Sequence, residues 1–331
     1  MALYTPLSPD ELAEVAARFG LAGPERAAPE PKGSVNTNYH LWAGGERYFL
    51  RLAEGKTDED VEFEAGVLRF LEGARFPAAR LILSVDGASH VRIRGRQAML
   101  FAYSAGEELV REAVTPEHCR RVGEQLGRLH DLAPGFAADR ANPYRPERVR
   151  PWIEELEPDG GGDEEVRDAL PMLRDELERA AALPRAPRGL VHGDLFIDNV
   201  LWIGDRVSAI LDWEMACVDA FAWDLAVAVN AWCYTGRFEP EQVQALLDGY
   251  RSKASLDRDT QAALYPYARY VALRYTASRI HAFHLAGLGA DRLAWKDWSR
   301  YRDRLAALRQ MEERGFRELV GRSPDRVTAP R

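Results

Sequence analysis

The chain has 331 residues, 46% of them hydrophobic and eight of them tryptophan, enough for two cored lobes around a cleft. Its formal net charge of −8 argues against nucleic acid as a partner, because phosphate contacts need clustered Lys and Arg. No run reaches the ~20 apolar residues of a membrane-spanning helix. Cys119, Cys217 and Cys233 make no Cys-x-x-Cys pair, so no zinc or disulfide framework is indicated and a reduced, cytoplasmic setting is expected.

Met1 to Asp10 has neither a basic start nor a long apolar core, so no signal peptide is expected. Ser8-Pro9-Asp10-Glu11 opens a helix, with Ser as N-cap, Pro first and Glu third, carrying Leu12, Val15, Ala16 and Phe19 on one face. Gly33 to Tyr39 is a polar loop containing Asn36, Thr37 and Asn38, and with the Gly44-Gly45 turn it forms a β-hairpin running to Leu52. The helix from about Asp58 to Leu71 sets Val61, Glu64, Leu68 and Leu71 on one stripe. A carboxylate in an apolar stripe needs a partner; Arg51 on the preceding strand is the candidate, and Glu62, on the wetter face, is the competing acid. Leu81 to Val85 reads as a strand, Arg92 to Arg96 as a strand with one wet face, and Gly95 to Tyr103 as an apolar strand ending in Ser104-Ala105-Gly106.

Thr115 to Leu132 is a helix with Cys119, Val122, Leu126 and Leu129 as its apolar stripe and a structural His130 near its end. A charged helical insert spans Pro146 to Ala182, broken by a turn at Asp159 to Asp163. Leu190 to Tyr234 then reads as strand, loop, strand, Gly204-Asp205 turn, strand and helix. Asp194 and Asn199 lie five apart in one loop, and Asp212 ends the following hairpin, so all three are expected to converge. Two carboxylates and an amide oxygen are hard ligands that suit Mg²⁺ better than zinc. Asp219 and Asp224 sit near a helix start, where the dipole favours acids in a structural role. Helices from Pro240 to Tyr250, Asp259 to Leu285 and Trp295 to Arg317 complete the chain before a polar tail from Arg322.

His192-Gly193-Asp194, four residues, Asn199, then Asp212-Trp213-Glu214 resembles the catalytic and metal-binding loops of the kinase fold, in the form used by its small-molecule branch. Cys217-Val-Asp219, Trp223-Asp-Leu-Ala226 and Asn230-Ala-Trp-Cys233 narrow the resemblance to the homoserine kinases of the aminoglycoside phosphotransferase type, as do the Asn36-Thr37-Asn38-Tyr39 loop and the Leu273-Arg274…Ser278-Arg279 helix. The resemblance implies an α+β, two-lobed protein-kinase-like fold, with an antiparallel nucleotide-binding lobe over residues 1–103 and a mainly helical catalytic lobe over 104–331. It also implies ATP and Mg²⁺ as cofactors and a small-molecule acceptor, L-homoserine first, as in threonine biosynthesis. Asp194 would be the catalytic base, with Asn199 and Asp212 on the metal. Asn36, Thr37, Asn38, Arg51, Glu64, Phe101 and Tyr103 would serve the nucleotide, Arg standing where protein kinases have Lys. Arg274 or Arg279 would meet the substrate carboxylate. An aminoglycoside, amino-alcohol or sugar kinase of the same fold is the alternative, and a non-catalytic nucleotide-binding module is the more distant one.

Overall fold

The computed structural model describes residues 5–30, 35–156, 160–284 and 297–321. They group into two compact units: Met1–Glu108 with Asn199–Ala216, and Leu109–Asp198 with Cys217–Arg331.

The first unit is built on a six-stranded antiparallel sheet of β1 (Arg26–Pro29), β2 (Thr37–Ala43), β3 (Glu46–Ala53), β4 (Leu81–Ile82), β5 (Val91–Ile93) and β6 (Arg96–Ala102), ordered β1-β2-β3-β6-β4 with β5 also on β6. Alternation along β2 and β3 sends Tyr39, Leu41, Leu50 and Leu52 into one core with Leu100, closed by Leu12 and Val15 of α1 (Pro9–Arg18) and by Phe19, its C-cap. Ser8 and Glu11 form the expected capping box, the Ser8 amide donating to Glu11 Oε2 at 2.8 Å. The period of two puts Asn38, His40, Trp42, Arg47, Phe49, Arg51, Met99 and Phe101 on the other face. Between β3 and β4 lies α2 (Asp58–Gly73), N-capped by Thr57.

Two strand expectations need correction. The strand from Leu81 stops at Ile82, because a turn follows in which Ser84 Oγ donates to Asp86 at 2.5 Å and accepts the Ala88 amide at 2.9 Å. Arg92 to Arg96 is no continuous strand: Arg94 and Gly95 both take positive φ and turn β5 into β6. The hairpin of β9 (Val200–Ile203) and β10 (Arg206–Ile210), joined by β7 (Glu107–Glu108), belongs to this unit, the Ile210 amide donating to the Pro77 carbonyl at 2.6 Å.

The second unit is helical. Glycines let α3 (Pro116–Leu132) and α7 (Pro240–Arg251) meet backbone to backbone: a Cβ on Gly123 would overlap the Leu246 carbonyl, and one on Gly249 the Arg120 carbonyl. The insert resolves into α4 (Pro146–Glu154) and α5 (Glu164–Ala180), with Asp163 capping α5 through the Val166 amide at 3.0 Å. The expected turn's Asp159 lies outside the described residues, as do Gly33, Ser34, Leu285, Trp295 and the tail from Arg322. The short β8 (Arg188–Val191) pairs with β11 (Cys217–Ala220), a strand that sequence reading missed. Asp219 lies in this strand, just ahead of the helix that starts at Phe221. The buried α6 (Phe221–Trp232), α8 (Arg258–Arg279) with a π-helical turn at Ile280–His284, and α9 (Ser299–Gly321) complete the unit.

Candidate active site

In the sheet unit the sequence-predicted residues gather around Arg51, which is 6% exposed. Its Nη2 donates to Glu64 Oε2 at 2.5 Å, and its Nη1 lies 3.5 Å from Asp212 Oδ1. Glu64 is buried because it falls on the apolar stripe of α2, so the expected pair forms. The competing Glu62 is half exposed and accepts from Ser89 Oγ at 2.5 Å. Burial by itself would lower the Arg51 pKa, but the negative charges of Glu64, Glu214 and Asp212 outweigh it and hold the cation. Asp212 adopts the left-handed conformation, φ 60° and ψ 65°, which Asp tolerates better than most residues and which re-aims the chain after β10. The Leu211 amide donates to the Asn199 carbonyl at 2.8 Å, tying the two metal candidates through adjacent backbone.

The Asn36, Thr37 and Asn38 side chains divide. Asn36 Nδ2 donates to Glu214 Oε2 at 2.7 Å while its Oδ1 accepts the Glu54 amide at 3.1 Å. Thr37 Oγ1 donates to Glu54 Oε1 at 2.9 Å. Asn38, opposite Arg51 in the β2–β3 register, has an enclosed Oδ1 with no hydrogen-bond partner. Phe101 lies under the Arg51 guanidinium at 5.1 Å, and Tyr103 under that of Arg47 at 4.0 Å. Glu214 is the residue that sequence reasoning missed here. It anchors Asn36 and lies 3.7 Å from Lys56 Nζ, and its signal was the third letter of the Asp212-Trp213-Glu214 motif.

In the helical unit β8 delivers the His192-Gly193-Asp194 loop, and a buried acid grips it from below. Asp224 accepts the His192 amide on Oδ2 and the Gly193 amide on Oδ1, each at 2.7 Å. Its side chain thus serves the loop rather than the N-terminus of its own helix. His130 Nε2 lies 3.3 Å from the same carboxylate, with Nδ1 3.0 Å from the Tyr250 hydroxyl and its ring stacked on Phe221 at 4.3 Å. Burial alone would raise the Asp224 pKa, but the His130 hydrogen bond and charge bring it below the ordinary carboxylate value. Trp232 Nε1 adds a clamp on the Leu195 carbonyl at 2.9 Å.

Asp194 accepts a hydrogen bond on Oδ1 from the Tyr275 hydroxyl, and its own amide donates to His192 Nδ1 at 3.2 Å. Burial, reinforced by the Asp194 charge, holds the Tyr275 pKa well above its usual value, so the hydroxyl stays a donor. Tyr275 went unnoticed in the sequence because attention fell on the arginines beside it. The Arg274 guanidinium carbon lies over the Tyr144 and Tyr275 rings at 3.5 and 3.9 Å. Arg279 donates to the Asp297 carbonyl at 3.0 Å and lies over Tyr301 at 4.5 Å.

No helix among the described residues is long and apolar enough to cross a membrane. A family model described as "Phosphotransferase enzyme family" matches residues 27–267. The sequence is 32% identical over 296 residues to the homoserine kinase of Phenylobacterium zucineum, covering 88% of this chain and 90% of that protein. It is 33% identical over 285 residues to the homoserine kinase of Methylobacterium sp. strain 4-46, covering 85% and 88%. An amicoumacin kinase solved in complex with AMP-PNP, Ca²⁺ and Ami superposes with TM-score 0.69 at 18% identity, over 87% of this chain and 92% of that one. The ethanolamine kinase of Plasmodium vivax superposes with TM-score 0.60 at 16% identity, over 86% and 82%. The fold is kinase-like, an antiparallel sheet unit followed by a helical one.

Proposed function

This chain belongs to the phosphotransferase enzyme family, and from that premise we propose that it transfers the γ-phosphoryl group of ATP to the side-chain hydroxyl of L-homoserine, giving O-phospho-L-homoserine. The observation that carries the acceptor is the near full-length likeness to homoserine kinases at 31–33% identity.

In this reading Asp194 orients the acceptor hydroxyl and takes its proton, with Tyr275 fixing the carboxylate and Asp224 fixing the loop beneath it. Arg51, braced by Glu64, steadies the nucleotide phosphates from a permanently cationic position. Asn38, in β2 on the same sheet face with an unsatisfied amide oxygen, is the one of Asn36, Thr37 and Asn38 best placed to meet the nucleotide with Arg51. Phe101 and Tyr103 would border the adenine. Asn199 and Asp212 offer an amide and a carboxylate oxygen, the small hard-donor set on which Mg²⁺ is held together with phosphates and water. The bound ion would neutralise charge between the phosphates. Phosphoryl transfer asks little covalent work of a protein, and positioning and charge carry the rate.

ADP release from Mg-ATP by purified protein tests the reading, against L-homoserine, L-serine, L-threonine, choline, a hexose and kanamycin. Turnover confined to L-homoserine and lost in Asp194→Asn is expected. Turnover with kanamycin or choline instead would keep the chemistry and overturn the acceptor.

A further inference from the structure

Buried guanidinium groups are costly unless an anion meets them. The helical unit holds four such groups largely out of water, Arg111, Arg274, Arg279 and Arg304, and among the described residues none is ion-paired with a carboxylate. Three of them hold main-chain oxygens instead. Arg111 donates to the Ala231 and Trp232 carbonyls, Arg279 to that of Asp297 and Arg304 to those of Asn230 and Arg300. Burial, with the like charges of Arg111 and Arg279, brings the Arg304 pKa down to about 10. An anion entering this neighbourhood would relieve that repulsion.

Arg274 differs from the other three. It is 4% exposed, its guanidinium carbon lies 3.5 and 3.9 Å from the centres of the Tyr144 and Tyr275 rings, and it makes no hydrogen bond among the described residues. Its Nε is enclosed without a partner. With two rings against the guanidinium and Nε enclosed, the hydrogen-bonding edge of the fork is what a ligand can meet, the geometry that suits a carboxylate. Burial would lower the Arg274 pKa, but Tyr275, Tyr144 and the negative charge of Asp194 hold it above the ordinary arginine value. Asp194 is itself held by the hydroxyl of Tyr275, whose ring lies against Arg274. One tyrosine therefore touches both the proposed catalytic acid and a cation that makes no ion pair among the described residues.

We propose that Arg274, lying against the Tyr144 and Tyr275 rings, anchors the carboxylate of the acceptor and is the residue that selects a hydroxy acid over an uncharged or cationic alcohol. The inference rests on the kinase reading above but not on homoserine itself. Arg279 is the weaker anchor because one arm of its fork is already spent on a carbonyl.

The test compares acceptors that differ only in the carboxylate: L-homoserine, L-homoserinamide and 3-aminopropan-1-ol. The parent protein is expected to prefer L-homoserine by about 10²-fold in kcat/KM, the size of loss expected when a buried charge pair is left half empty. Arg274→Met should erase that preference through KM, and Arg274→Lys, which keeps the charge but not the fork, should restore part of it. The thermal midpoint of Arg274→Met should hold or rise, since a buried cation is removed. A variant that keeps the preference overturns the proposal. So does one that loses all three acceptors alike together with its thermal midpoint, which marks a structural cation. If the parent ignores L-homoserine, the homoserine reading fails, and the same comparison on the hydroxy acid it does use, against its amide, decides Arg274.

Discussion

Arg51 and Arg274 are the same side chain, buried to nearly the same extent, in opposite circumstances. In the sheet unit Arg51 meets Glu64 at 2.5 Å and Asp212 at 3.5 Å, so its charge is answered within the fold. In the helical unit Arg274 meets two aromatic faces and no carboxylate within ion-pair distance among the described residues. An answered charge braces a scaffold, because removing either partner strands the other. An unanswered one is tolerated where a ligand completes it.

The contrast can be broken or sharpened by substitution. The largest effect belongs to Asp194→Asn, which should cut turnover by about 10² or more while the thermal midpoint holds; near-full activity would remove the reacting group around which the helical unit is read. Asp224→Ala should cost about 3–5 kcal/mol in denaturant unfolding, because it strands the His192 and Gly193 amides and the His130 ring. The same acid gives a pH signature. Its pKa is lower folded than the ordinary 3.8, so its stabilisation is present above that value and lost as pH falls through the depressed one. Asp224→Asn should accordingly show a shallower loss of stability on acidification.

Glu64→Gln should cost about 3 kcal/mol by leaving Arg51 buried and poorly answered, and adding Arg51→Met should recover much of it. A single variant as stable as the parent would mean that the ion pair braces nothing. The smallest effect is expected for Arg274→Met, with stability unchanged within about 0.5 kcal/mol or slightly raised. A loss as large as that of Glu64→Gln would make the two arginines alike.

Sequence by itself determined the elements whose cause is local. The Ser8 capping box, the Asp58 helix with Glu64 in its apolar stripe, and the strand-loop-hairpin carrying Asp194, Asn199 and Asp212 follow from periodicity, capping and turn chemistry. The Arg51–Glu64 pair was legible too, since a carboxylate in an apolar stripe demands a cation and the adjacent strand offered one. What tertiary structure alone decided lies in contacts far apart in the chain. Asp224 looked like a helix-start acid, but packing buries it and turns it to amides about 30 residues earlier, where a buried acid must find donors. Asn36 reaches Glu214 across 178 residues, and Tyr275 reaches Asp194 across 81. No pattern within a window of sequence encodes either. The arginines show the same limit: composition counts them, but only the absence of an ion-paired acid distinguishes Arg274 from the equally buried Arg51.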